Sequence, residues 1–287
     1  MKIGLYNLEP KIVNTAMMQV STYHKSKGDD VEIYSPIFQY DQIYAFSLFD
    51  FTDKSYVKDS MTKGGTGFDI TSRLPEYIEG CDYDWSLYPH CDYSIVWFSR
   101  GCIRNCPFCV VHDKEGMIHP VEPKNLNPNG EFIKVQDNNF FANPKWKDAI
   151  KQLKEWDQPV DLAGVDARIL NKEMCEAISA LNKKRSKDRS TIIKVKIAWD
   201  NPKDDLVPKL KEITKYVKPY IFMCYVLIGF DSTPEEDLYR VEELRKLKID
   251  PFVSTYNKRD RYQMNFARWV NRKEIFKSVK WENYKQT

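Results

Sequence analysis

The sequence predicts an α/β chain: a small α/β unit, a longer run of alternating strands and helices, and a short helical segment at the end. Three observations carry this. From Tyr93 onward, apolar runs of strand length recur between stretches with helical apolar spacing. Asn-Pro and Thr-Pro pairs punctuate several junctions, each offering a capping side chain followed by proline at the first helical position. Polar residues gather just after the strands, where a parallel α/β fold places its sites. Such alternation gives a parallel sheet, open or closed. The six strands it predicts are fewer than the eight of a complete barrel, so a partial (βα)6 barrel of TIM type fits.

In chain order, residues 2–8 read as an apolar strand and residues 11–27 as a helix with Ile12, Ala16, Val20 and Tyr23 on one face. Gly28 ends that helix, and strands follow at 31–34 and 42–48. The glycines of Lys63-Gly-Gly-Thr-Gly-Phe68 suit a backbone that needs positive φ better than a phosphate loop. Residues 74–92, rich in Pro, Asp and Tyr, connect to the second part. Its strands are expected at 93–98, 132–135, 160–163, 192–198, 221–228 and 251–255. Helix starts are expected at Asn143-Pro144, Asn201-Pro202 and Thr233-Pro234, the last with Glu235 and Glu236 in its first turn, where the helix dipole favours them. The expected domains are 1–90, 91–257 and 258–287.

Composition sets the broad class. With 42% hydrophobic and 30% charged residues, the chain matches an ordinary globular protein with ample core. The apolar run at the N-terminus is too short for a signal peptide, and no stretch reaches membrane-spanning length, so no membrane association is expected. Seven cysteines, an odd number, argue against a disulfide framework and for a reducing, cytoplasmic setting. A net charge of +3 is too small to imply nucleic acid by itself.

The chemistry centres on Cys102-Ile-Arg-Asn-Cys106-Pro-Phe-Cys109. Three thiolates on one loop can converge on a metal centre. A cubane iron–sulfur cluster normally takes four Cys ligands. Three would leave one iron open, and an open position separates a catalytic metal site from a closed structural one. Two other readings stand beside this one: a closed Cys3His zinc site completed by His112, and simple burial of free thiols. Past the strand ends lie Ser99-Arg100, Asp137-Asn138-Asn139, Asp166-Ala-Arg168, Asp200-Asn201 and Asp231-Ser232-Thr233, on the same face as the cysteine loop.

The C-x3-C-x2-C spacing, with aromatic Phe108 before the last Cys, resembles the signature of the radical S-adenosylmethionine (SAM) enzymes. The resemblance covers about residues 93–255. The preceding domain is similar, more diffusely, to the Rossmann-like cobalamin-binding domains of one branch of that superfamily. The resemblance implies a [4Fe-4S] cluster on Cys102, Cys106 and Cys109, with SAM chelating the fourth iron and cleaved reductively to a 5′-deoxyadenosyl radical. It implies SAM contacts from Asp137 or Asn138 toward the amino group, Gly229 beside the adenine, and Phe108 against the adenine. Asp166, Arg168 and Asp200 are expected at the ribose, the SAM carboxylate or the substrate. A reductant protein of flavodoxin or ferredoxin type is the implied partner.

The departures matter too. The cobalt-ligand motif Asp-x-His-x-x-Gly is missing, so cobalamin is not expected, and His24 is read as an exposed polar residue on its helix. Methylthiotransferases carry three further N-terminal cysteines, whereas only Cys81 and Cys91 precede Cys102 here, both read as unliganded. Cys175 and Cys224 fall in a helix and a strand, where burial is the default.

The tail interleaves Arg259, Arg261, Arg268, Arg272, Lys273, Lys277 and Lys280 with Tyr262, Phe266, Trp269, Phe276, Trp281 and Tyr284. It reads as an amphipathic helix whose Phe266, Trp269 and Val270 close the barrel. Lys183-Lys184-Arg185-Ser-Lys187 reads as a solvated loop. The second functional reading is a non-catalytic metal-binding module that holds nucleic acid through this basic aromatic tail.

Overall fold

The computed structural model describes residues 1–181 and 194–284, and the chain divides into two compact units. The loop expected at Lys183–Lys187 lies outside the described residues, as do the first residues of the strand expected at 192–198.

The first unit comprises Met1–Tyr93 with Val110–Gly116 and Pro123–Gly130. It holds strands β1 (Lys2–Asn7), β2 (Asp30–Ile33), β3 (Gln42–Phe46) and β4 (Thr62–Gly64), and helices α1 (Thr15–Ser26), α2 (Glu76–Glu79) and α3 (Val111–Glu115). The sheet order is β2-β1-β3-β4, and every pairing is parallel. Ile3 and Leu5 of β1, Met17 and Val20 of α1, Phe46 and Ile78 form its core. Helix α1 begins at Thr15, four residues later than the sequence pattern suggests, because the Asn14 side chain accepts a hydrogen bond from Met17 N–H.

His24 is buried, not exposed as expected. Its ring nitrogens are hydrogen-bonded to Asp29 (2.7 Å) and the Tyr44 hydroxyl (2.9 Å), which satisfy it inside. Strand β4 carries no strand signal of its own, because its sequence, Thr-Lys-Gly, has no apolar alternation. Gly65 has φ +101°, and a Cβ there would lie 2.3 Å from the Ser47 carbonyl oxygen, so this glycine answers to backbone geometry. At the carboxyl end of β1 the Glu9 carboxylate accepts from Ser47 Oγ, Leu48 N–H, Phe49 N–H and Thr52 Oγ1. Burial works to raise Glu9, but these donors outweigh it and hold the carboxyl below its ordinary range.

The second unit comprises Ser94–Cys109, Met117–Glu122 and Glu131–Thr287. Its six-stranded parallel sheet uses β5 (Tyr93–Val96), β8 (Phe132–Val135), β9 (Val160–Val165), β10 (Val195–Ala198), β11 (Phe222–Ile228) and β12 (Asp250–Thr255), side by side in sequence order. Short strands β6 (Ser99–Arg100) and β7 (His119–Pro120) form an antiparallel pair. Helices α4 (Trp146–Trp156), α5 (Lys172–Leu181), α6 (Val207–Ile213) and α7 (Pro234–Lys246) connect the later strands, and α8 (Arg261–Asn271) and α9 (Lys273–Ser278) follow the last. Along β11, Phe222, Cys224, Val226 and Ile228 are buried while the alternate residues are partly open, so one face of this strand is fully covered.

Helix α7 starts where the sequence predicts. Thr233 caps Glu236 N–H, the Glu236 side chain returns to Thr233 N–H, and Pro234 occupies the first turn. Thr233→Ala is expected to cost about 1 kcal/mol, read as a lower urea midpoint at unchanged slope. The other two Pro signals mark turns instead. Asn143 accepts from Lys145 N–H and donates to the Phe98 carbonyl, and α4 begins only at Trp146. Asn201 accepts from Lys203 N–H, and α6 begins at Val207. In the tail, Phe266, Trp269 and Val270 are buried as expected of an amphipathic helix, with Trp269 5.1 Å from the Phe276 ring and 5.3 Å from Trp281. Phe266, Trp269 and Phe276 are therefore core and offer no open stacking surface. Among the described residues no helix is long and apolar enough to cross a membrane.

Candidate metal centre

Within the second unit the cysteine loop leaves β6, which follows β5 by two residues, so it opens at the carboxyl edge of the sheet. Gly101, at φ +76°, turns the chain into it. Cys102, Cys106 and Cys109 are half-buried free thiols. Cys102 Sγ accepts from Arg104 N–H at 3.3 Å, and Cys109 N–H donates to the Cys106 carbonyl at 2.9 Å, which winds the loop into tight turns. The Cys106 thiol is pushed up by burial first and by the nearby Cys109, Cys102 and Asp200, with Arg168 opposing. One loop and two strand ends thus converge on a single locality.

Arg104 ties the loop to β9: its Nε donates to Asp166 Oδ2 at 3.0 Å. Arg168 donates to both oxygens of the same carboxylate, at 2.8 and 3.1 Å, and reaches Asp204 at 2.8 Å. Burial works to raise Asp166, but Arg168 and Arg104 outweigh it and hold the carboxyl below its usual range. Asp166 is thereby committed to two guanidinium groups. Asp200, past β10, accepts from Leu227 N–H at 3.0 Å, and burial raises it against that bond and the fields of Arg240 and Arg168.

Asp137, past β8, is buried and accepts from Phe98 N–H at 2.9 Å and from the Ser99 hydroxyl. Burial pushes its carboxyl up to about 6, with those donors pulling the other way. A carboxyl raised in the folded state binds its proton there while the unfolded chain has already lost it. Its contribution to stability is therefore present at low pH and lost as pH rises between roughly 4 and 6. Asp137→Asn keeps an acceptor oxygen and removes this titration. The wild type is expected to lose about 2 to 3 kcal/mol relative to the variant across that window, measured by denaturation at a series of pH values. Parallel profiles would refute it.

Asn138 is half-buried beside Asp137, and a Cβ on Gly164 of β9 would lie 2.0 Å from the Asp137 carbonyl oxygen and 2.7 Å from that of Asn138. Only glycine lets the two strand ends approach this closely. Gly229, at φ +78°, follows β11, and its N–H donates to Ser232 Oγ at 3.1 Å. A Cβ there would strike the Gln263 side chain at 2.1 Å. Phe108 packs edge-on against Phe230 at 5.4 Å, and Phe230 in turn against Tyr256 at 5.0 Å. This aromatic row joins the cysteine loop to the ends of β11 and β12.

The described residues contain no group of three or more His, Cys, Asp or Glu side chains gathered so as to hold a metal ion. Zn–S bonds of about 2.3 Å would bring three sulfurs onto one atom. A cubane instead gives each thiolate its own iron and spreads them. The donor chemistry of the loop fits such a cluster: three neighbouring free thiols, an N–H bond to sulfur, and arginines beside them. His112 lies on α3 in the first unit. Cys81 and Cys91 have local backbone carbonyls as partners, while Cys175 and Cys224 are fully buried.

Two site residues were not singled out from sequence. Arg104 was visible between two ligands, yet nothing in its spacing named Asp166 as its partner. Arg240, buried on α7, donates to the carbonyls of Trp199 (2.8 Å) and Asp200 (3.3 Å) and so holds the turn that carries Asp200. No protein-family model matches the chain, and no curated protein matches it significantly.

Proposed function

We propose that the chain is a radical SAM enzyme, with Cys102, Cys106 and Cys109 as ligands of a [4Fe-4S] cluster. The observation that carries this is the position of the C-x3-C-x2-C loop: it leaves β6, just past the first strand of a parallel sheet, with Asp137, Asp166 and Asp200 past the ends of the next three. When bound, the cluster and SAM would supply one-electron cleavage of the cofactor to a 5′-deoxyadenosyl radical, which abstracts hydrogen from the substrate. On this reading the six sequential strands, with connecting helices, are a partial (βα)6 barrel. The first unit, ordered β2-β1-β3-β4, is a Rossmann-like domain of the cobalamin-binding type.

The chain's own residues would divide the remaining work. Arg104 fixes the loop to β9 through Asp166, and Arg168 shares that carboxylate while facing Asp204. Asp137 and Asn138 are the proposed partners of the SAM amino group; Asp137, raised to about 6, would be ionised at neutral pH and suited to an ammonium. Phe108 and Gly229 would flank the adenine, with Phe108 held edge-on against Phe230 and Phe230 against Tyr256. Cobalamin is outside the proposal, since His24 already spends both ring nitrogens on Asp29 and Tyr44. A flavodoxin- or ferredoxin-type protein would deliver the electron.

The test is direct. Protein reconstituted anaerobically with iron and sulfide is expected to turn brown, to bind about four irons per chain, and to release 5′-deoxyadenosine with dithionite and SAM. A colourless, zinc-loaded protein that leaves SAM intact would overturn the reading.

A further inference from the structure

We infer that Asn139 is a positioning residue for the Cys102 thiolate: its side-chain amide donates to that sulfur and raises the reduction potential of the centre the loop holds. This rests on the cluster reading above.

Asn139 is only 2% exposed. Its Nδ2 lies 3.9 Å from Cys102 Sγ, the outer reach of an N–H···S contact, and its Oδ1 is buried with no hydrogen-bond partner. Burying a carboxamide is costly unless its polar atoms are used, so an amide whose one contact is a ligand sulfur calls for an explanation. It is also held in place. Its carbonyl accepts from Ala142 N–H at 3.1 Å, and the adjacent Phe140 and Phe141 are buried, which anchors the segment after β8. The amide orientation follows from charge: a thiolate accepts, so the NH2 group faces it, whereas a flipped amide would set oxygen lone pairs against a negative sulfur.

Cys102 then has two N–H donors, the backbone of Arg104 at 3.3 Å and the side chain of Asn139. Hydrogen bonds to cluster sulfurs are one of the protein's means of setting potential. A donor favours the reduced state more, because that state places more negative charge on sulfur. The Arg104 donor belongs to the main chain and cannot be changed by substitution. Asn139 is the adjustable one.

The experiment is an EPR-monitored redox titration of the reconstituted full-length protein, alongside Asn139→Leu and Asn139→Asp, with iron and sulfide counted in each. The midpoint is expected to move to more negative potential in Asn139→Leu, and further in Asn139→Asp, which sets a carboxylate beside the sulfur. Full cluster content with an unshifted midpoint in both would overturn this inference and leave the enzyme reading standing. Wild-type protein that takes up no cluster would overturn that reading, and this one with it. Should the variants fail to load, wild-type protein labelled with 15N at asparagine side chains decides the matter. Double resonance on its reduced cluster is expected to detect coupling to a side-chain nitrogen, and no coupling would refute the assignment.

Discussion

Cys106→Ala is expected to abolish both cluster content and 5′-deoxyadenosine release, while leaving the stability of the metal-free chain nearly unchanged. The two halves of this prediction have different causes. Cys106 is half-buried, and its backbone carbonyl, which accepts from Cys109 N–H, survives the substitution. Its thiol sits where burial and two neighbouring thiols disfavour ionisation, so it is neutral in the metal-free chain and no charge interaction is lost with it. A change at such a site falls within about 0.5 kcal/mol of neutral. Metal binding is another matter on the proposed reading, since a three-thiolate centre reduced to two would lack a ligand. Iron and sulfide analysis, visible absorbance and chromatographic detection of 5′-deoxyadenosine test the first half. Thermal unfolding of the metal-free protein tests the second. A variant with full iron content and turnover would remove Cys106 from the ligand set.

Arg240→Met is expected to be the most destabilising single change outside the apolar core, at about 3 to 5 kcal/mol. Arg240 and Asp237 are both fully buried, with Nη2 to Oδ1 at 2.6 Å. The same guanidinium serves the carbonyls of Glu236, Trp199 and Asp200, and Asp237 also accepts from the Tyr262 hydroxyl at 3.1 Å. Removing the arginine strands a carboxylate and several carbonyls away from water. Burial already raises the Asp237 carboxyl against the pull of its partners, so without Arg240 it would protonate more readily. The loss should therefore be smallest in acid and grow toward neutral pH. Asp237→Asn placed on top of Arg240→Met should recover part of the deficit, because a neutral amide costs less to bury than a lone charge. Urea denaturation of the single and double variants checks this; a loss under about 1 kcal/mol for Arg240→Met would show that the pair carries little net stability.

Much of the frame was legible in the sequence because burial writes a pattern. The run Phe222–Ile228 is apolar from end to end and became β11, and Thr233-Pro234-Glu-Glu236 became a capping box. Signals that depend on partners far along the chain were weaker. Asn14, not the apolar spacing from Lys11, sets the start of α1. Asn143-Pro144 and Asn201-Pro202 have the composition of a cap, yet their side chains serve turns, because an Asx turn and an N-cap use the same acceptor. His24 read as exposed since neither Asp29 nor Tyr44 could be placed beside it from spacing alone. At the site, the cysteines announced themselves by proximity in sequence. Arg104 and Arg240 did not, because each acts through a residue some 40 to 62 positions distant.

Glu9 gives the first unit an unusual economy. In open sheets of this order, main-chain N–H groups at the crevice beside the first strand commonly receive a ligand's phosphate. Here the amides of Leu48 and Phe49 already face a negative group that the protein carries itself. A phosphorylated molecule approaching that crevice would meet a resident competitor, tethered beside those amides, which it would have to displace.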